Sequence, residues 1–365
     1  MNTYTMQGAV CNEFGARLVI ENLYLDDPQE GEVRVRLKAT AICHSDISNL
    51  RGEWAGGSVP TVAGHEAAGI VESTGGAVDS VAVGDNVVVT LVRSCGLCDA
   101  CNAGHTVCCT GTTALDSESR LRNSAGRIVE QGLRTAAFAQ ACVVHHSQLV
   151  RIPDEISFVS AALLGCGVIT GFCSVTNVAE IESGSRVVVI GAGGLGLNTI
   201  QGAALSGASV IIAVDVLDNK LQAASEFGAT HTINALHKNA VTEVTSICSG
   251  GVDYVFVTAG RSDAFSQSID MLHKYGTSVI LGMPPDDDRM FSVDSHLLTT
   301  GRKVIGSKLG DTCIKDDIPN LIGLYQKGKL KLDELVSNTY PLNDINRAIE
   351  TAERGEALRN VIVFD

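Results

Sequence analysis

Basic residues are in short supply in this 365-residue chain: 27 Lys and Arg stand against 41 Asp and Glu, a net charge of −14. A surface of that sign repels phosphate backbones and anionic lipid, so neither nucleic acid nor membrane is an expected partner. Long Pro/Ser tracts and runs of a single charge are missing too, while apolar residues make up 45%, and little disorder is expected. Residues 1–10 contain no basic region leading into an apolar run, so no secretory signal is read and the expected address is the cytoplasm. No internal repeat and no Pro- or Ser-rich linker is visible. At roughly 150 residues per domain the chain should hold two or three domains, each large enough to bury a core without disulfides.

Charge is absent altogether from 156–179 and 187–214, which are long enough to resemble membrane spans. Gly, Ser, Thr and Asn interrupt both and the second has no basic flank, so they read as buried strands, turns and helices. Upstream, β-rich runs such as 33–37 and 85–92 mark an all-β segment. From Arg186 onward strands at 186–190, 209–214, 252–259, 277–282 and 303–307 alternate with helices, the pattern of a parallel sheet covered by helices. Asp218 ahead of Leu221, Ala224 and Phe227, closed by Gly228, reads as a capped helix between two of those strands. A last strand is expected at 360–364.

Gly191-Ala192-Gly193-Gly194-Leu195-Gly196 follows a β-branched strand and opens an apolar helix, the context in which such a Gly pattern binds a dinucleotide. Gly191 permits the tight turn, Gly193 lets the backbone approach a pyrophosphate at the helix N-terminus, and Gly196 lets helix and strand pack closely. Asp215 ends the next strand, where a carboxylate accepts from the adenosine ribose hydroxyls and repels a 2′-phosphate. NAD is therefore expected rather than NADP.

Twelve cysteines are many for a reducing compartment, and five of them fall between Cys95 and Cys109. Cys95, Cys98, Cys101 and Cys109 have the spacing C-x2-C-x2-C-x7-C of a tetrahedral structural zinc site. Cys108 adjoins Cys109, and spacing alone leaves the choice of fourth ligand open. A second set is dispersed: Cys43 in Cys43-His44-Ser45-Asp46, His65 in Gly64-His65-Glu66, and Cys166 between two glycines. Singly, a buried Cys is usually core and a lone His usually hydrogen-bonded, but two thiolates, one imidazole and an open position are a known composition for a catalytic zinc. Cys11, Cys142, Cys173, Cys248 and Cys313 read as core thiols, His145-His146 as a strand end, and Asp286-Asp287-Asp288 as a solvated loop.

These residues, with Gly64-His65-Glu66-Ala67-Ala68-Gly69, Gly282-Met283-Pro284-Pro285 and a near-terminal Arg359, resemble the zinc-dependent alcohol dehydrogenases of the medium-chain dehydrogenase/reductase superfamily. The resemblance covers essentially the whole chain. It implies a GroES-like β-rich catalytic domain, residues 1–167 and 310–365, with an inserted Rossmann domain at 168–309 whose doubly wound parallel sheet binds NAD. It also implies two zinc ions per chain. Cys43, His65 and Cys166 would hold the catalytic one, and Cys109 rather than Cys108 would complete the structural one. The implied reaction moves a hydride between an alcohol and NAD, with Ser45 taking the hydroxyl proton, Asp46 orienting His65 and Glu66 beside the metal. By the same resemblance His44 and Arg359 contact the pyrophosphate, unless they are ordinary surface cations. Lys220 would touch the ribose, Thr170 and Leu195 flank the nicotinamide, and Trp54, Leu91 and Met283 wall the substrate pocket.

Two positions depart from the pattern. Ser48 stands where many relatives complete a proton relay with His, and a hydroxyl is no buffer near neutral pH. Arg93, just ahead of the four-Cys lobe, is unusual and is read as pointing toward the active-site cleft. The length of 110–137 matches dimeric relatives, which makes a homodimer the expectation by analogy. Two other functions compete with alcohol oxidation: oxidation of a formaldehyde–thiol adduct, with Arg93 binding an acidic thiol, and a non-catalytic zinc- and NAD-binding redox sensor.

Overall fold

The computed structural model describes residues 4–365 and divides into two compact units. One comprises 4–166, Cys313–Asn320 and Leu332–Asp365; the other comprises Gly167–Thr312 and Leu321–Lys331. Among the described residues no helix is long and apolar enough to cross a membrane.

The first unit is built on two β-sheets. The larger runs in the order Leu149–Arg151, Asn86–Val89, Glu66–Thr74, Glu32–Ala41, Arg359–Val363 and Val336–Pro341, with Ala141–His145 also paired to Glu32–Ala41. Its central strand follows from simple alternation: Val33, Val35, Leu37 and Ala39 point into the core while Arg34, Arg36 and Lys38 face outward. That strand pairs antiparallel with Glu66–Thr74, Ala41 opposite Glu66, and with Arg359–Val363, Val361 opposite Ala41. The strand ends bearing Cys43, His65 and Arg359 therefore meet at one edge of the sheet. The smaller sheet holds Tyr4–Val10, Val19–Leu25, Leu121–Asn123, Ile128–Gln131 and Thr61–Val62.

The second unit carries six parallel strands in the order His231–Asn234, Val210–Asp215, Arg186–Ile190, Val252–Val257, Leu272–Ile280 and Lys303–Gly306. Numbered from Arg186–Ile190, this is the doubly wound order 3-2-1-4-5-6, whose direction reverses between the first and fourth strands. Ligands bind at such a reversal, outside the carboxyl ends of the strands.

Three local expectations needed correction. The edge strand His231–Asn234 is polar, and its residues give no apolar run to read. The fifth strand starts at Leu272 rather than Thr277, because its first residue already pairs with Val252 ahead of a register shift. Asp218 is not the cap of its helix. Leu217 holds the extended N-cap position, and the Asp218 carboxylate accepts from the Asn234 side-chain amide at 2.6 Å.

Candidate active site

At the edge of the larger sheet the chain leaves Glu32–Ala41, reaches Cys43 and enters the helix His44–Arg51. His65 lies immediately before Glu66–Thr74. Cys166 arrives through Gly165, where a Cβ would stand 2.9 Å from both Glu66 Cα and the Val89 carbonyl, so only glycine lets the backbone pass. One donor atom from each of Cys43, His65, Glu66 and Cys166 lies within 4.8 Å of the others.

Asp46, wholly buried on the first turn of that helix, organises the group. Its Oδ1 accepts from Gly64 N at 2.9 Å and from His65 Nδ1 at 2.8 Å, and its Oδ2 accepts from Cys43 N at 3.2 Å. Anchoring Nδ1 leaves the Nε2 lone pair of His65 free for a ligand. Burial alone would depress the imidazole, but the Asp46 carboxylate and the Cys43 sulfur carry it well above its ordinary value. A hydrogen bond from Cys166 is the main reason that Cys43 sits well below the usual thiol range despite burial, with His65 and Arg359 adding to it. Glu66 is pushed up to about 7 by burial, against the opposing charge of Arg359. Its Oε1 is buried with no partner among the described residues. A cluster of anionic sulfur, an oriented imidazole and an unmatched carboxylate oxygen fits a divalent zinc ion. Asp46→Asn, which offers Nδ1 an uncertain partner, is expected to lower zinc retention and kcat/KM by roughly 10–100-fold. Zinc loss to a chelator and steady-state rates would check this, and wild-type values in both would refute it.

The surrounding residues divide clearly. His44 is exposed, and Ser45 and Ser48 are partly exposed one helical turn apart. Arg359 is not a surface cation: it is 8% exposed, and its Nη2 pairs with Glu66 Oε2. Its Nε has no partner among the described residues. Arg93 is not directed at substrate either. It is 5% exposed, and donates to Gln148 Oε1 at 2.9 Å, Thr113 Oγ1 at 3.1 Å and Asp116 Oδ1 at 2.9 Å. Acceptors from two separate segments, the 113–116 turn and Gln148, make it an internal strut behind the four-Cys lobe. Trp54 and Leu91 are half-buried, and Met283 is 63% exposed.

In the lobe, one sulfur each from Cys95, Cys98, Cys101 and Cys109 lies within 4.8 Å of the rest, whereas Cys108 is exposed and apart. Backbone N–H groups of Leu97 and Cys98 point at Cys95 Sγ at 3.4 Å, and that of Gly111 points at Cys109 Sγ at 3.3 Å. N–H donors from Cys101 and Thr110 bring Cys98 down to about 5. Four thiols so placed, with amides that favour the thiolate, fit a closed zinc site. Gly111 belongs to the lobe although its spacing gives no hint of it; a Cβ there would lie 2.6 Å from Cys95 Sγ.

In the second unit, Gly191 has φ +96°, and a Cβ would stand 2.6 Å from Thr258 Oγ1. Thr258, unforeseen from sequence, clamps the turn by donating to the Ile190 and Gly191 carbonyls at 3.0 and 2.9 Å. Gly193 caps the helix Gly194–Leu205, and a Cβ on it would meet nothing within 4 Å, so that face is open to a ligand. Asp215 accepts from Ala192 N at 2.7 Å and from Val216 N at 2.7 Å, which fixes its carboxylate against the Gly-rich turn. The turn lies where the strand order reverses, and these features fit a dinucleotide. Leu195 is half-buried on the first helical turn; Thr170 and Lys220 are buried on Gly167–Cys173 and Asp218–Glu226.

Comparison with known proteins agrees with this chemistry. Residues 29–154 match the alcohol dehydrogenase GroES-like domain, and 194–327 match the zinc-binding dehydrogenase domain. S-(hydroxymethyl)glutathione dehydrogenase of Saccharomyces cerevisiae is 35% identical over 98% of this chain and 96% of its own length. The chain belongs to the zinc-dependent alcohol dehydrogenases. Among solved structures, an alcohol dehydrogenase zinc-binding domain protein from Burkholderia ambifaria superposes with TM-score 0.94 at 32% identity, covering 100% of both chains. Benzyl alcohol dehydrogenase from Acinetobacter calcoaceticus superposes with TM-score 0.93 at 30% identity, covering 99% of this chain and 100% of the other. The protein is thus a zinc-dependent oxidoreductase that uses NAD(H), with a GroES-like catalytic domain and a Rossmann coenzyme domain.

Proposed function

We propose that the protein interconverts a primary or simple secondary alcohol of apolar or aromatic body with its aldehyde or ketone. The observation that carries this reading is the set of half-buried Cys43 and buried His65, Glu66 and Cys166 with Asp46 behind it. Cys43, His65 and Cys166 would hold the catalytic zinc, and Glu66 is a further donor within reach. When bound, the ion supplies Lewis-acid stabilisation of negative charge on the substrate oxygen. Ser45 Oγ accepts the hydroxyl proton, and Asp46 keeps His65 in the ligating tautomer. Ser48 is no buffer near neutral pH, so Ser45 would pass its own proton on through the coenzyme ribose to water as it takes the substrate's. Trp54, Leu91 and Met283 contact the substrate's apolar body, since unpaired polar groups in such surroundings cost about 1–3 kcal/mol each.

Gly191, Gly193, Gly194, Leu195 and Gly196 hold the coenzyme pyrophosphate, Asp215 and Lys220 the ribose, and Thr170 the nicotinamide. His44 and the Nε of Arg359, unpartnered among the described residues, are our candidates for the phosphates. The Cys95, Cys98, Cys101 and Cys109 lobe holds the structural zinc. We assign 168–309 to the coenzyme domain and 1–167 with 310–365 to the catalytic domain, and take the protein to be a cytoplasmic homodimer.

A second reading, oxidation of a formaldehyde–thiol adduct, takes its support from the yeast relative's activity, but Arg93 no longer supplies a binding group. The test is a rate panel with NAD and NADP: benzyl alcohol, a medium-chain alcohol, sorbitol, glycerol and S-(hydroxymethyl)glutathione. Benzyl or medium-chain alcohol is expected to lead, with NAD ahead of NADP in kcat/KM by at least roughly tenfold, about 1.4 kcal/mol. A polyol in the lead would refute the substrate class, the glutathione adduct in the lead would install the second reading, and equal use of NADP would remove the role of Asp215.

A further inference from the structure

Arg93, unusual at the entrance of the four-Cys lobe, takes no part in the chemistry above, and its surroundings give it another task. The chain reaches it along 90–94, a segment fixed to the body of the first unit by Ser147 and the wholly buried Gln148. Thr90 N donates to the Gln148 carbonyl at 3.0 Å, and Gln148 Nε2 donates back to the Thr90 carbonyl at 2.8 Å. Ser94 N donates to Ser147 Oγ at 3.1 Å. From the same anchor, Gln148 Oε1 accepts from Arg93 Nε at 2.9 Å.

On the far side of the lobe the chain returns as the turn 113–116, which is closed on itself. Asp116 Oδ2 accepts from Thr113 N at 2.7 Å and from Thr113 Oγ1 at 3.1 Å. Its Oδ1 accepts from Arg93 Nη1 at 2.9 Å, and the same Nη1 reaches Thr113 Oγ1 at 3.1 Å. One planar guanidinium therefore bonds the lobe's entry through Nε and its exit, 20 and 23 residues later, through Nη1. A single-point ammonium cannot reproduce that fork. Between these ends Val107 is the one buried residue of 95–112, so the lobe has almost no apolar core to shape it. What gathers its four sulfurs is the metal together with the fixing of its ends.

We propose that Arg93 is a positioning residue that staples the entry of the four-Cys lobe to its exit, so that retention of the lobe's zinc depends on it. The inference rests on the zinc reading of the lobe above. Arg93 supplies no ligand and acts through the backbone on either side of the cysteines. Holding Ser94 and Thr113 as a fixed base restricts the loop between them, so less ordering entropy is lost when four thiolates close on an ion. Without the staple the lobe opens more readily from its base, and the ion leaves from the open form. The coupling is reciprocal: what the staple adds to zinc affinity, bound zinc adds to the staple's contribution to stability.

Arg93→Met, of similar length but without donors, and Asp116→Asn, at a partner whose side chain is 23% exposed, are compared with wild type as full-length zinc-loaded enzyme. Zinc release to excess chelator is followed with a chromogenic indicator, and the phase missing from Cys98→Ser identifies the lobe. That phase is expected to be about tenfold faster in Arg93→Met and about threefold faster in Asp116→Asn, with the other phase within about twofold of wild type. The double variant should be no faster than Arg93→Met, because the two substitutions remove one shared bond. Melting curves read the reciprocal effect: Arg93→Met should lower Tm less in a Cys98→Ser background than in the wild type. If Arg93→Met yields no folded protein, the Asp116→Asn release rate decides. Retention of both zinc ions by Cys98→Ser would remove the lobe reading itself. An unchanged lobe phase in either single variant, equal acceleration of both phases, or equal Tm losses in the two backgrounds would overturn the staple.

Discussion

Cys43→Ala is expected to leave one zinc per chain instead of two and to lower kcat/KM by at least about a thousandfold, roughly 4 kcal/mol of transition-state stabilisation. The size follows from what remains. His65 is still oriented by Asp46, but one of two thiolates is gone from a buried site in which Glu66 Oε1 already lacks a partner among the described residues. Cys98→Ser in the lobe should also leave one zinc, with a different consequence. Its sulfur is surrounded by partly exposed loop residues far in sequence from Cys43, His65 and Cys166. The loss is expected in thermal stability, with a Tm lower by about 5 °C or more for a cost near 2 kcal/mol, and folded protein should keep most of its activity. Elemental analysis after extensive dialysis, paired with melting curves and rates, separates the two sites. Two zinc ions retained by Cys43→Ala would remove the catalytic site from this account.

Gly196→Ala is expected to weaken NADH binding by at least about tenfold while zinc content stays at two. A Cβ at this position would stand 1.8 Å from the carbonyl oxygen of Gly191 and 3.2 Å from Thr258 Oγ1. The obstacle is backbone, so no side-chain rotation relieves it. Either the helix Gly194–Leu205 withdraws or the turn deforms, at about 1–3 kcal/mol, and both displace the N–H groups that would face the pyrophosphate. Gly193→Ala is the useful partner, because its Cβ meets no protein atom within 4 Å. It should leave stability unchanged and weaken coenzyme alone. Fluorescence titration with NADH and a melting curve for each variant provide the check; wild-type affinity in Gly196→Ala would show that the turn does not carry the coenzyme.

Legibility in the sequence tracked how locally each feature is assembled. The strand Arg186–Ile190 was read to the residue and the Gly-rich turn in full, because a strand, a turn and a helix N-terminus are contiguous in the chain. The four-Cys lobe was legible for the same reason. Cys43, His65 and Cys166 were readable as a set only through resemblance to a family, since nothing in their spacing says that they meet.

Residue types and short-range spacing by themselves pointed to two or three domains, the alternation that makes the parallel sheet, the dinucleotide turn and the presence of a thiolate metal lobe. Each of these depends on backbone periodicity or on groups within one loop. Tertiary structure decided the rest. Pairing of Ala41 with Glu66 and with Val361 as neighbours brings Cys43, His65 and Arg359 to one sheet edge. Loop path selects Cys109 over Cys108. Acceptors from Gln148, Thr113 and Asp116 turn Arg93 inward, and Ser262 engages Asp288 of the Asp286-Asp287-Asp288 run. A charged side chain goes where its partners are, and those partners lie 20 or more residues away for Arg93, Asp288 and Arg359 alike, a distance over which composition and periodicity carry no information.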